Sequence, residues 1–128
     1  MNTTFDNEIR LKLLKLLQDE PEMTQREMNE RMGVSLGKIN YCISALTEKG
    51  MIKVERFKKN KNKSAYMYRL TPKGFEELAS LTIAFLKIRI SEYDRIRSEI
   101  QSLSDQIDEI DPGLKDDPDL IRYLRSIR

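Results

Sequence analysis

TQREMNERMGVSLGKINYCISALTEKG, residues 24–50, is the stretch whose reading decides the fold. Thr24 is a good helix N-cap, and Glu27 stands three residues on, the capping-box spacing. A helix from there carries Met28 and Met32 inward and leaves Gln25, Arg26, Asn29 and Glu30 facing water. Gly33 breaks that helix, and Val34 is an apolar plug in the turn. Ser35 then caps a second helix running to about Lys49, and Gly50 ends it. Two helices joined by a glycine-containing turn read as a helix-turn-helix.

The second helix has two unlike faces. Residues placed at about 100° intervals put Ile39, Cys42, Ile43 and Leu46 on one apolar stripe. The opposite face holds Gly37, Lys38, Asn40 at its border, Tyr41, Ser44 and Ala45, with Glu48 only at the far end. It lacks the Glu/Lys ladder of an ordinary solvated helix. Small residues at its start permit close approach, while Lys, Asn, Tyr and Ser can reach phosphates or base edges. A surface helix that is merely poor in acid is the competing reading, and the next segment decides between them.

After Gly50 the period changes from 3.6 to 2. Ile52 and Val54 alternate with Lys53 and Glu55, then Tyr66, Tyr68 and Leu70 alternate with Met67 and Arg69, which predicts two antiparallel strands. Between them, residues 58–64 carry Lys58, Lys59, Lys61 and Lys63 and no acid. A Lys/Asn loop is commonly just a solvated hairpin tip. Directly after a helix-turn-helix it reads instead as a basic wing that neutralises phosphates and releases counterions. Helix, helix-turn-helix and basic hairpin make a winged helix, and the expected ligand is double-stranded DNA. In that reading Lys38, Asn40, Tyr41 and Ser44 face the major groove, and Ser35 and Gly37 allow close approach. Gln25 and Arg26 contact flanking phosphate, and the wing, residues 57–64, grips the backbone or minor groove.

Upstream, residues 6–18 (DNEIRLKLLKLLQ) form an amphipathic scaffold helix. Asp6 is its expected cap, Ile9, Leu13, Leu16 and Leu17 its stripe, and Leu11 and Leu14 its widening. Pro21 breaks it. Net charge over 128 residues is only +2, but it is unevenly spread. Residues 1–74 hold 15 Lys+Arg against 9 Asp+Glu, whereas 75–128 hold 8 against 12, so the basic excess lies with the reading unit. There is one cysteine and no histidine, which leaves no intramolecular disulfide and no zinc site of the usual kinds. Cys42 reads as a small core residue, with no basic neighbour evident in the sequence to activate it. A Gly-rich phosphate loop, a nucleophile elbow and evident paired acids are all missing, so neither an enzyme nor a cofactor is implied. No apolar run approaches the ~18 residues of a membrane span and the N-terminus lacks signal-peptide architecture, so a cytoplasmic protein is expected.

Downstream, Thr71 caps and Pro72 starts a helix with no breaker until Asp111-Pro112-Gly113, roughly 39 residues and nearly 60 Å long. Its first half is richly apolar from Phe75 to Ile90, more than one face can explain. Its second half narrows to Tyr93, Ile96, Ile100, Leu103, Ile107 and Ile110, spaced 3-4-3-4-3, a coiled-coil seam. With Leu86 and Ile90 ahead of it, that seam is the expected dimerisation surface. Asp117, Pro118 and Asp119 start a last short helix whose apolar face is Leu120, Ile121, Leu124 and Ile127. The expected fold is mainly α with a small β-hairpin, a winged helix-turn-helix over 1–74 and a helical dimerisation extension over 75–128.

EIRLKLLKLLQDEP, TQREMNERMGVSLGKINYCISALTEKGMIKVE and YRLTPKG together resemble the MarR family of winged-helix transcriptional regulators. The likeness runs from about Glu8 into the middle of the long helix, and MGVSLGKINYC most resembles the small branch associated with exopolysaccharide gene clusters. The resemblance implies a homodimeric regulator, expected to be a repressor, on a palindromic operator, its second helix in the major groove and its wing near the minor groove. The common wing of that family carries Asp-x-Arg where this chain has Asn62, Lys63 and Ser64, so an inserted arginine is not carried over. The lysines are left to contact phosphate, with Lys63 the nearest to the groove. Ligand-pocket residues of the larger family members have no evident match, and the sequence names no small-molecule effector. The alternative is a protein-interaction adaptor in which coiled coil and winged helix both bind protein; salt dependence of DNA binding separates the two.

Overall fold

The structure, a computed structural model, describes residues 3–60 and 63–127, and the side chains of all of these except 3–5, 59, 60, 63, 64, 114 and 115. The elements are α1 (Thr3–Asp19), α2 (Gln25–Met32), α3 (Leu36–Glu48), β1 (Ile52–Asn60), β2 (Lys63–Leu70) and α4 (Pro72–Ile110). A 3-10 turn (Pro112–Asp116) and α5 (Pro118–Ile127) follow. The chain divides into two compact units, Met1–Phe85 and Leu86–Arg128.

The caps of the first unit behave as their chemistry dictates. Thr24 accepts from the Glu27 amide and Ser35 from the Lys38 amide, each at 3.1 Å. Gly33 (φ 65°) and Gly50 (φ 75°) take the left-handed conformation that terminates α2 and α3. The Asn29 amide closes the turn by donating to the Val34 carbonyl at 2.5 Å. Contrary to the expectation from the sequence, Asp6 does not cap α1. The helix starts at Thr3, so Asp6 lies inside its first turn, where a carboxylate still meets the positive end of the helix dipole.

The core is one apolar cluster. Leu13, Leu14 and Leu17 of α1 meet Met28 of α2, Ile39, Cys42, Ile43 and Leu46 of α3, then Met51, Ile52, Tyr68, Leu78 and Leu81. Leu14, read above as merely widening the stripe, is fully buried, whereas Leu16 is half-buried. Met23, in the segment that breaks α1, is buried as well. Compact packing continues past residue 74 to Phe85 because Leu78 and Leu81 close the core from above.

The two strands pair antiparallel with Ile52 opposite Leu70, Val54 opposite Tyr68 and Arg56 opposite Tyr66. Pairing runs further than the alternation suggested, through Lys58 opposite Ser64 to Asn60 opposite Lys63, with a register shift between Lys58 and Asn60. Lys58, Lys59 and Lys63 are therefore strand residues rather than loop residues. Burial fades along the hairpin: Ile52 and Tyr68 are buried, while Val54 and Tyr66 are 37% and 52% exposed.

Thr71 fastens α4 to the end of α3. Its hydroxyl accepts from the Gly74 amide at 3.1 Å and donates to the Gly50 carbonyl at 2.5 Å, and its own amide donates to the Met51 carbonyl at 3.1 Å. Gly74 is buried in that junction. A Cβ there would stand 2.1 Å from the Met51 carbonyl oxygen, so only glycine allows the approach.

In the second unit, α4 runs on unbroken to Ile110, knit along its surface by Arg89–Glu92 (3.0 Å) and Arg95–Glu99 (2.8 Å). Leu86, Ile88, Ile90, Tyr93, Ile96, Leu103 and Ile110 are exposed along it in the single chain, and Ile100 and Ile107 half-buried. The breaker residues form a 3-10 turn in which Asp111 accepts from the Gly113 amide at 2.9 Å. Asp117 caps α5, accepting from the Asp119 and Leu120 amides at 2.9 and 3.0 Å. Leu120, Leu124 and Ile127 are half-buried, but Ile121 and Tyr123 are exposed.

Candidate nucleic-acid interface

α3 presents Gly37, Asn40, Tyr41, Ser44 and Glu48 to the outside, opposite the buried Ile39, Cys42, Ile43 and Leu46. Tyr41 is 64% exposed, and Leu36 joins it at the helix start. The exposed face of α3 and the inner face of the hairpin together line an open concavity of about 570 Å³. Its lining includes Gln25, Asn40, Ser44, Glu48, Val54 and Tyr66. Val54, Tyr66 and Tyr68 were read from the sequence only as strand residues. Their place beside α3 follows from the hairpin pairing, which folds the wing against the C-terminal half of that helix.

The sequence-expected residues do not all point the same way. Lys38 lies at the flank of α3, and its ammonium reaches back to Asp6 of α1 (Nζ to Oδ1, 3.1 Å). It also stands 5.3 Å from the Tyr41 ring centroid, within cation–π range. The Asp6 carboxylate holds the Lys38 ammonium charged to a higher pH than usual. Lys38 is thus occupied by a partner within the chain, not extended from the centre of the helix face. The long stem at a flank position, together with an Asp freed from capping duty, accounts for the difference.

Gln25 is also engaged. Its Nε2 donates to the Tyr68 hydroxyl and its Oε1 accepts from Asn40 Nδ2, both at 3.3 Å. Arg26, by contrast, is exposed at the start of α2. Ser35 spends its hydroxyl on the α3 cap. Nothing within 4 Å would meet a Cβ at Gly37, so the fold itself does not require a glycine there.

On the wing, Lys58 is exposed. Lys61 and Asn62 lie outside the described residues, as do the side chains of Lys59, Lys63 and Ser64. Nearer the hairpin base, Glu55 lies 3.6 Å from Lys53 and 3.5 Å from Arg69, whereas residues 58–63 of the sequence hold four lysines and no acid.

Cys42 is buried, and burial pushes its thiol pKa up. Basic groups do lie nearby, contrary to the sequence reading: Lys38 and Arg10 both pull the thiol down, but desolvation outweighs them. Among the described residues no group of three or more His, Cys, Asp or Glu side chains is placed to hold a metal ion. No described helix is long and apolar enough to cross a membrane.

An acid-poor exposed helix, packed on a two-helix scaffold and flanked by a basic hairpin, defines a winged helix-turn-helix. Residues 6–53 match the family model described as winged helix-turn-helix DNA-binding. No curated protein sequence matches the chain. Among solved structures the fold is shared with the PcaV transcriptional regulator from Streptomyces coelicolor, at TM-score 0.61 and 21% identity over 84% of this chain and 78% of that one. FabT from Streptococcus pneumoniae, solved in complex with DNA, superposes at TM-score 0.51 and 19% identity over 84% of this chain and 74% of its own. MarR from Staphylococcus aureus, solved with salicylate and kanamycin, gives the same score and identity over 84% and 73%. The architecture is therefore the winged-helix fold of MarR regulators.

Proposed function

We propose that this chain is a cytoplasmic, sequence-specific DNA-binding transcriptional regulator that acts as a homodimer on a palindromic operator. α3 enters the major groove and the hairpin lies along the backbone or minor groove. The observation that supports this most is the pairing, within one unit, of an exposed α3 face almost free of acid with an adjacent hairpin whose tip, residues 58–63, has four lysines and no acid in its sequence. Repression is the proposed sign of regulation, and the exopolysaccharide-associated branch of the MarR family, resembled through MGVSLGKINYC, the proposed branch. The domains assigned are a reading unit over about 1–74 and a dimerising extension beyond it, using Leu86, Ile90, Tyr93, Ile96, Ile100, Leu103, Ile107 and Ile110.

Salt dependence tests the DNA reading. Each phosphate neutralised contributes about 0.9 to the slope of log K against log[salt]. Replacing Lys61 and Lys63 by Ala should flatten that slope by about one to two units. Undetectable binding to random duplex DNA at low salt would sink the reading and favour the protein-binding adaptor.

Gly37→Ala separates fold from function. With open space at its Cβ position, the substitution should stabilise the helix by roughly 0.5–1 kcal/mol, measured by thermal unfolding. The same methyl group should weaken DNA binding if α3 makes close approach there. Unfolding and binding that both improve would remove Gly37 from the interface.

A further inference from the structure

We propose that Asn40 is the adenine-reading residue of α3 and that Gln25 and Tyr68 are positioning residues that fix its pose; this rests on the DNA-binding reading above. A side-chain amide offers two N–H donors and one carbonyl acceptor. One Asn40 N–H is given to Gln25 Oε1 at 3.3 Å, which leaves one donor and the Oδ1 acceptor on an exposed residue. Adenine presents the N7 acceptor beside the N6 donor in the major groove, the complement of that remaining edge. Guanine presents two acceptors there, so the Asn40 carbonyl would face O6 unfavourably.

The pose is set from below. An isolated asparagine amide can turn over and exchange its donor for its acceptor. Here the exchange is coupled to a second amide: Gln25 Nε2 is bonded to the Tyr68 hydroxyl at 3.3 Å, so Asn40 can turn over only if Gln25 turns over and the Tyr68 hydroxyl rotates to donate. Tyr68 in turn is packed into the core: it is 6% exposed, and its backbone N–H donates to the Pro21 carbonyl at 2.8 Å. The chain of bonds therefore runs from the α1–α2 connection through β2 and α2 to the reading face of α3. It gives Gln25 a role other than phosphate contact, and gives a buried strand tyrosine a part in base selection.

Selection of bound sequences from a random duplex pool locates the adenine position in each half-site. Affinity is then compared for the selected duplex and for one with that A·T pair changed to G·C. The wild-type chain should prefer A·T by roughly 5- to 150-fold. Asn40→Ala should abolish the preference at that position alone. Tyr68→Phe and Gln25→Ala should reduce it by roughly 2- to 12-fold, with thermal unfolding showing a folded protein, and Tyr68→Phe should leave the salt slope on random duplex unchanged. Gln25→Glu, which keeps an acceptor for Asn40, should retain preference that Gln25→Ala loses. The proposal is overturned if no A·T position responds to Asn40→Ala, or if Tyr68→Phe and Gln25→Ala both select as the wild type does. Absence of any duplex binding by the wild-type chain is a different result, and it removes the DNA-binding reading itself.

Discussion

Gly74→Ala should lower the unfolding midpoint by on the order of 10–20 °C, although alanine is the better helix former. Its intrinsic gain in α4 is about 1 kcal/mol. Against it stands a Cβ placed 2.1 Å from the Met51 carbonyl oxygen and 3.1 Å from the carbonyl carbon. The obstacle is backbone, so no rotamer change relieves it. That same carbonyl accepts from the Thr71 amide, so moving it away disturbs the cap of α4. Overpacking commonly costs about 1–3 kcal/mol and more where backbone must shift, which outweighs the propensity gain. Loss of about 2–4 kcal/mol is a large part of the ~5–15 kcal/mol that holds a small domain folded. Differential scanning calorimetry of Gly74→Ala beside Gly37→Ala makes the comparison internal, since the two should move in opposite directions. An unchanged midpoint for Gly74→Ala would show that the junction yields.

Replacing Ile100 and Leu103 together by Lys should convert a dimer to a monomer in sedimentation experiments. Leu103 is 60% exposed and Ile100 half-buried in the single chain, and neither belongs to the core of the first unit. The double variant should therefore keep the unfolding behaviour of the winged helix. The apolar seam is larger than an isolated helix normally leaves in water, which is why a second copy is the expected cover. If two reading helices bind half-sites about 34 Å apart, or a multiple of that, uncoupling them turns an intramolecular second contact into a bimolecular one. Operator affinity should fall by on the order of 10²- to 10⁴-fold, while binding to a single half-site changes little. A sedimenting mass equal to that of the unsubstituted chain would remove the seam from the interface.

Local chemistry made much of this fold legible before any coordinates. Thr24, Gly33, Ser35, Gly50, Thr71 and Asp117 act through bonds to residues within a few positions, so caps and stops fell where the sequence put them. Ile39, Cys42, Ile43 and Leu46 were likewise fixed by helical periodicity. What escaped depends on partners far along the chain. Met23 looks like part of a breaker until α1 and α2 close over it. Gly74 looks like an ordinary helix residue until Met51 arrives against it. Lys38 and Gln25 carry the right chemistry for DNA, but 32 and 43 residues separate them from Asp6 and Tyr68. No periodicity encodes such pairings. The exposure of Val54 and Tyr66 escaped for another reason: alternation says which side of a strand a residue takes, not how far the body extends beneath it.

That last feature bears on how such a protein can change. The base of the hairpin is tied to the body through buried Ile52 and Tyr68 and the bond from the Tyr68 amide to the Pro21 carbonyl. Beyond Val54 its residues contribute little to the buried cluster. Lysines can be gained, lost or moved toward the tip without unsettling the rest of the fold. If the wing grips DNA and α3 reads it as proposed, grip can drift in strength at the tip while the residues beneath Asn40 stay fixed in the scaffold.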